Sequence, residues 1–213
     1  MKLATISAIA LAAHAASAGV ITETDSVTGQ FQPLDTLEVD QFAGNPADLA
    51  GVELTLNARI DLSHQAENTS PNGTGGWDFT TEYMADIFDH TGSSVISFDD
   101  TFQTSGSLGA FDGNIDFDGA SGVRIEESVS DSYNILLVGG TDDLSAFIGT
   151  GTVEFDIVTD ANGSLSQSGA GQGGALTTIE VDVETRYLVN EIPAPGSVAL
   201  LAMGTLVGVR RRR

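Results

Sequence analysis

Apolar and polar residues alternate along two long segments of the chain. In residues 52–62 every second position is apolar and the positions between them carry Glu, Thr, Asn, Arg or Asp; residues 179–189 repeat this pattern, with Thr185 among the apolar positions. A period of two residues places the apolar side chains on one face of a β-strand and the polar side chains on the other. Both segments therefore predict half-buried strands with one face toward solvent.

Shorter segments of the same character predict further strands. They are residues 20–27, 34–42, 77–87, 94–98, 111–117, 122–128, 133–139 and 151–158. Clusters of Gly, Asn, Asp and Ser separate them, which is typical of antiparallel β proteins. We therefore expect an all-β fold: one antiparallel β-sandwich or jelly roll over residues 19–191.

The segments between the strands predict one helix and two long turns. Residues 141–143 can cap a short helix over 144–148, which Gly149 would end. The glycine-rich residues 68–76 and 162–174 are interpreted as extended turns. Neither stretch separates two kinds of composition, so a single domain is expected.

The net charge of the chain limits the classes of function that it can have. The 213 residues include 30 acidic and 8 basic side chains, for a net charge of −22. All the acidic residues lie in 19–192 with only three arginines and no lysine, so this stretch carries −27. A polyanion of this size repels phosphate backbones, which excludes nucleic acid as a partner. The absence of cysteine excludes disulfides, thiol nucleophiles and zinc–thiolate sites.

The first 18 residues have the pattern of a secretory signal peptide. Lys2 is followed by an apolar run over residues 3–16, and Ala16, Ser17 and Ala18 form the small-residue pattern that signal peptidase accepts. We expect cleavage before Gly19 and export of the rest of the chain.

The last 22 residues, 192–213, have the pattern of a second targeting signal. Pro193, Ala194 and Pro195 precede an uncharged apolar segment at 196–209, and the chain then closes with Arg210, Arg211, Arg212 and Arg213. Fourteen residues make a helix of about 21 Å, short for a hydrocarbon core of roughly 30 Å. The arginines would stay in the cytoplasm. We expect this transmembrane segment to pause in the bilayer before cleavage or transfer, and to be the only part of the chain that contacts the membrane.

This C-terminal stretch resembles the PEP-CTERM sorting signal of bacteria, which an exosortase processes, although Ala194 stands where that family usually has Glu. Residues 19–192 resemble the choice-of-anchor E domain of bacterial surface proteins; the similar pieces are 21–24, 49–56, 143–153 and 181–189. The resemblance implies a surface module that encounters signal peptidase and exosortase during maturation. It brings no known activity, so we expect a non-enzymatic protein of the cell surface, cell envelope or extracellular matrix, with extracellular polysaccharide or matrix as a candidate partner.

One segment has the composition of a calcium loop. Oxygen-bearing side chains occupy every second position ahead of Gly119: Asp112, Asn114, Asp116 and Asp118. Ca²⁺ prefers six to eight oxygen ligands and a sharp turn. The alternative is a strand over 111–117 whose carboxylates face water while the apolar residues between them face inward. Calcium is the one cofactor that the sequence suggests.

The sequence offers weaker evidence for catalytic sites. Adjacent acids at Asp99–Asp100, Glu126–Glu127 and Asp142–Asp143 are no more frequent than chance in so acidic a chain, and no nucleophile motif is present. His64 and His90 are interpreted as loop residues. No catalytic residue is therefore assigned.

An aromatic group offers an alternative function. Trp77, Phe79 and Tyr83 either belong to the core or form a platform for sugar rings. Together with the candidate calcium loop, the second possibility makes the chain a calcium-assisted carbohydrate-binding or adhesion module.

Overall fold

The fold is described by a computed structural model, which covers residues 19–30 and 35–190. The signal peptide and the sorting segment, residues 192–213, lie outside the described residues, so both remain predictions. Eight strands follow one another along the chain: β1 (Val20–Gln30), β2 (Asp35–Asp40), β3 (Leu49–Asn68), β4 (Gly75–Phe88), β5 (Ser94–Leu108), β6 (Gly122–Val138), β7 (Thr152–Gln167) and β8 (Gly171–Val189).

The strands form two antiparallel sheets of four, which confirms the predicted all-β sandwich. One sheet has the order β1-β8-β3-β6 and the other β2-β7-β4-β5. In these orders the first strand pairs with the last, the second with the seventh, the third with the sixth and the fourth with the fifth. The chain is therefore one long hairpin rolled into two sheets, which is the topology of an eight-stranded jelly roll.

The core lies between the sheets and comes mainly from the four central strands, with Leu37 and Val39 of β2 and Ile96 of β5 also buried in it. The alternating residues of β3 from Val52 to Leu62 are all at most 2% exposed, and Val181 and Val183 of β8 face the core beside them. The predicted strands at 52–62 and 179–189 are thus confirmed, and the structure extends both. A second apolar cluster lies at one end of the sandwich and consists of Ala66, Trp77, Phe79 and Leu108.

The edge strands carry acids on their inner faces. Glu23 of β1, Asp100 of β5 and Asp131 of β6 stand opposite Thr185, Tyr83 and Ala58, whose side chains are buried between the sheets. Glu127 of β6 has the same orientation, opposite Leu62. Inward-pointing charges on edge strands prevent two sheets from joining edge to edge.

Several predicted elements need correction, among them the strand at 111–117, which is part of a loop. The segments 122–128 and 133–139 form one continuous strand, β6, and the predicted helix is a single 3₁₀ turn at Ser145–Phe147. Most of the glycine-rich segment 162–174 belongs to β7 and β8, so the prediction of a long turn there was wrong. The turn at 68–76 is confirmed in shorter form, because β3 ends at Asn68 and β4 begins at Gly75.

Within residues 19–30 and 35–190, no helix has the length and apolar character needed to span a membrane.

Candidate functional site

Three connections between the sheets meet at one end of the sandwich. They are residues 69–74 between β3 and β4, 109–121 between β5 and β6, and 168–170 between β7 and β8. The Thr69 N–H donates to the carbonyl of Ala170 and the Phe111 N–H donates to the carbonyl of Ser70, each at 2.9 Å. These backbone bonds hold the three connections together as one surface, which we call the loop end.

Asn68 organises the loop end. Its side chain is 1% exposed, and its Nδ2 donates to the carbonyls of Gly73 at 2.7 Å and Gly109 at 2.6 Å. Its Oδ1 accepts from the N–H of Ser70 at 3.0 Å, and its own N–H donates to the carbonyl of Ser121 at 2.8 Å. The side-chain amide and the backbone N–H of Asn68 together therefore fix the 69–74 connection and both ends of the 109–121 loop.

Glu67, one residue earlier, lies on the outer face of its sheet beneath the 109–121 loop. Its side chain is 0% exposed. Oε2 accepts a hydrogen bond from the Phe117 N–H at 2.8 Å, whereas Oε1 has no hydrogen-bond partner among the described residues. The loop thus covers a carboxylate that the strand pattern alone would place in water.

The 109–121 loop carries the residues of the predicted calcium site. Asp112, Asn114, Asp116 and Asp118 are all exposed. The aspartates bond to their own loop: Asp112 Oδ1 accepts from the Asn114 N–H at 3.0 Å and Asp116 Oδ1 accepts from the Asp118 N–H at 3.1 Å. These short-range bonds shape the turn and leave the second oxygen of each carboxylate directed away from that bond.

The alternative interpretation of this segment as a strand was wrong. Residues 109–121 contain no strand, and Ile115, which would have faced the core, is 50% exposed. The backbone turns at Gly113 (φ 108°), Phe117 (φ 57°) and Gly119 (φ 72°). Positive φ is easy for glycine but uncommon for a bulky residue such as Phe.

Across the described ranges 19–30 and 35–190, no three His, Asp or Glu side chains are grouped so that they could hold a metal ion. The calcium assignment to Asp112, Asn114, Asp116 and Asp118 therefore stays a prediction, and those four residues alone do not form a ligand cage as they stand.

The two histidines differ in position. His64 is not a loop residue as expected: it lies within β3, is 0% exposed, and its Nε2 is 2.7 Å from the Thr81 hydroxyl. Its ring packs against Phe79 and Phe102, with centroids 5.0 and 4.9 Å away. Burial lowers the pKa of His64 below its ordinary value. His90 does lie in a turn, between β4 and β5.

The adjacent acids do not form catalytic pairs. Asp99 and Asp100 are neighbours in β5, and Glu126 and Glu127 are neighbours in β6, so the two carboxylates of each pair point to opposite faces of a sheet. Asp143 Oδ1 accepts from the Ser145 N–H at 2.9 Å, which starts the 3₁₀ turn and lowers the pKa of the Asp143 carboxyl.

The aromatic residues are part of the core. Trp77, Phe79 and Tyr83 are 8%, 0% and 6% exposed, and the Trp77 and Phe79 rings pack with centroids 5.3 Å apart. They do not form an exposed platform, so the second interpretation of these residues was wrong.

The sequence alone does not indicate that Glu67 and Asn68 are buried beneath the loop end. Asn68 had been noticed only as a residue of a predicted turn, and Glu67 occupies a polar position of an alternating strand. Their burial depends on a loop that begins 41 residues after Asn68 along the chain, and no local pattern reports it.

The fold and the loop end define an all-β jelly-roll domain with a buried carboxylate under an acidic loop. No protein-family model and no curated protein matches the sequence.

The solved structures that resemble the chain include chains from infectious bursal disease virus. A chain of the Gt strain structure is 14% identical, with 87% of this chain and 46% of that chain covered and a TM-score of 0.22. A chain of the T13 viral particle is 12% identical, with 97% and 51% covered and a TM-score of 0.23. The present chain thus spans about half the length of these structures.

Proposed function

We propose that the chain is an exported, non-enzymatic protein of the cell surface, cell envelope or extracellular matrix. In this proposal an N-terminal signal delivers the jelly-roll domain, and an exosortase-type system sorts it through the C-terminal segment. The mature domain then acts as a matrix or adhesion component whose acidic surface attracts water and cations.

The observation that carries the proposal is where the fold begins and ends. The Val189 N–H donates to the carbonyl of Gly19 at 3.1 Å, and the Asn190 N–H donates to the carbonyl of Asp48 at 2.7 Å. All eight strands thus lie between the predicted cleavage point before Gly19 and the sorting segment that starts at residue 192. Both predicted targeting signals can be removed without the loss of any strand described within residues 19–30 and 35–190.

The sugar-binding alternative has lost the aromatic side chains on which it rested, because Trp77, Phe79 and Tyr83 are buried. The acidic outer surface agrees better with a role in hydrated matrix. With a charge of −27 over residues 19–192, the domain repels other copies of itself and attracts counterions.

The proposal is tested by the replacement of Arg210, Arg211, Arg212 and Arg213 with serine in the native host. We expect unprocessed or mislocalised precursor, detected by fractionation and by the mass of the C-terminal peptide. The wild-type chain should end near Pro193–Pro195 or carry an attached group there.

Arg124→Ser, which removes an exposed arginine within the domain, is the matched control and should be processed normally. Unchanged processing of the four-serine variant, or a mature wild-type chain that still ends at Arg213, would contradict the proposal.

A further inference from the structure

The carboxylate of Glu67 has an unusual environment for a chain with so few cations. It is fully buried, and one of its oxygens, Oε1, has no hydrogen-bond partner among the described residues. A buried polar atom without a partner is costly, and buried carboxylate oxygens in proteins are generally hydrogen-bonded, paired with a cation or bound to a metal.

No arginine of residues 19–30 and 35–190 forms an ion pair with this carboxylate. The ion pairs within the described part of the chain join Arg59 to Asp61, and Arg186 to Glu53 and Glu184. Arg124 is near in the sheet, opposite Gln65 on the same outer face as Glu67, but it does not form an ion pair with Glu67. None of the described arginines is paired with Glu67, so its Oε1 is available to a cation from solution.

A second carboxylate lies against the same short segment. A Cβ atom added to Gly122 would be 2.6 Å from Glu67 Oε2, and one added to Gly119 would be 3.3 Å from Asp112 Oδ2. Residues 119–122 thus have the buried carboxylate of Glu67 at one end and the exposed carboxylate of Asp112 at the other. Asp116 and Asp118 add further negative charge within the same loop.

From this arrangement we propose that the 109–121 loop and Glu67 bind one Ca²⁺ ion, with Glu67 Oε1 as the buried ligand and Asp112 Oδ2 as an exposed one. Ca²⁺ accepts six to eight oxygens in flexible geometry, including backbone carbonyls and water, which suits a site with few converged carboxylates. Mg²⁺ demands a strict octahedron and suits it poorly.

The site differs from the one that the sequence suggested. The four alternating residues Asp112, Asn114, Asp116 and Asp118 are on the exposed loop, whereas the proposed site is anchored by a strand residue about 50 positions earlier. The ion would fasten the 109–121 loop to the outer face of the sheet. This inference is independent of export and sorting.

The test is calorimetric titration of the purified full-length chain with CaCl₂ in chelator-treated buffer, up to about 10 mM because extracellular calcium modules bind at roughly 10⁻⁴–10⁻³ M. Thermal unfolding in CaCl₂, in MgCl₂ of equal ionic strength and in EDTA is measured beside it. We expect saturable binding of one Ca²⁺ and a higher Tm in Ca²⁺ than in Mg²⁺.

Glu67→Gln should weaken Ca²⁺ binding by at least about tenfold, whereas Glu126→Gln, the same change at an exposed position of β6, should leave it unchanged. Asp112→Asn is the second diagnostic variant, since this exposed side chain can be changed without exposing the core, and it too should weaken binding.

The proposal is overturned if the wild-type chain shows no saturable binding or if Mg²⁺ raises the Tm as much as Ca²⁺ does. It is also overturned if Glu67→Gln binds as tightly as Glu126→Gln. Should Glu67→Gln fail to fold, Asp112→Asn decides, and unchanged affinity in that variant refutes the site.

Discussion

The hydroxyl of Tyr187 donates a hydrogen bond to the backbone carbonyl of Asp40 at 2.6 Å. Tyr187 belongs to β8 in one sheet and Asp40 to β2 in the other, so this bond joins the two layers across the core. Burial, together with the nearby charges of Glu23 and Asp40, raises the pKa of Tyr187 far above its ordinary value. The hydroxyl therefore stays protonated, and able to donate this bond, beyond the pH at which an ordinary tyrosine ionises.

Tyr187→Phe removes this bond between the sheets while it keeps the ring. We expect the free energy of unfolding to fall by about 1–2 kcal/mol, measured by urea denaturation. Tyr133→Phe, on the half-exposed edge strand β6, is the control and should change stability much less. Equal stability of wild type and Tyr187→Phe would show that the bond contributes nothing.

Asn68→Ala should loosen the loop end. The change leaves the carbonyls of Gly73 and Gly109 and the N–H of Ser70 without their partner. These groups are partly buried, so each costs less than the roughly 1–3 kcal/mol of a fully buried unpaired group. We expect a clear loss of stability and faster amide exchange in residues 109–121. Asn72→Ala, at an exposed position of the 69–74 connection, should have little effect; similar exchange in both variants would count against the role given to Asn68.

Acid should destabilise the protein through His64. Its folded-state pKa is below the ordinary value of 6.5 because of burial, so the unfolded chain binds a proton at a pH where the folded chain does not. Stability from this group is complete above about pH 6.5 and is lost as the pH falls below that value.

The measurement is the free energy of unfolding between about pH 5 and pH 7.5, around the ordinary pKa of histidine, for wild type and for His64→Gln. Glutamine stays neutral, so the difference between the two chains should shrink as the pH falls. A constant difference across this range would exclude His64 as the source of the acid sensitivity.

Asp131→Val should promote association through the edge of the sheet. Asp131 points toward the inner face of β6, where a charge obstructs pairing with another strand. We expect an increase in light scattering on concentration of the protein. Glu126→Val removes the same charge from the outer face and should associate less, and equal association of the two variants would show that orientation is irrelevant.

Salt should stabilise the domain. Repulsion within a charge of −27 over residues 19–192 is screened as the Debye length falls from about 8 Å at 0.15 M to about 3 Å at 1 M. The Tm should therefore rise with NaCl, and KCl should act equally if screening is the cause. A Tm that is the same at both concentrations would be evidence against the importance of this repulsion.

The alternation of apolar and polar residues predicted most of the sandwich, because a strand with one buried face carries this pattern along its whole length. His64 could have been placed by the same signal, since it continues the apolar phase of Leu62 and Ala66 within β3. The prediction of a loop gave more weight to the residue type of His64 than to its position in the alternating pattern.

The many glycines of residues 162–174 led to the incorrect prediction of a turn there. A Cβ atom on Gly173 would collide with the Gln65 carbonyl and the Leu165 side chain, so this glycine permits close packing inside a strand rather than a turn. At 111–117 the error was the reverse: alternation extended over too few residues to outweigh the positive φ angles at Gly113 and Phe117. Glu67 was beyond local reasoning, because its burial is created by Phe117 and its neighbours, 50 residues away.

The rolled-hairpin topology limits the order in which the strands can pair during folding. The first strand, β1, pairs only with β8, and β8 separates β1 from β3 in the finished sheet. During synthesis from the N-terminus, β1 has no strand to pair with until residues 171–189 have been made. Such long-range pairing is slow to form. The first sheet can therefore be completed only after β8 is available, so nearly the whole domain must be synthesised before its first strand acquires a partner.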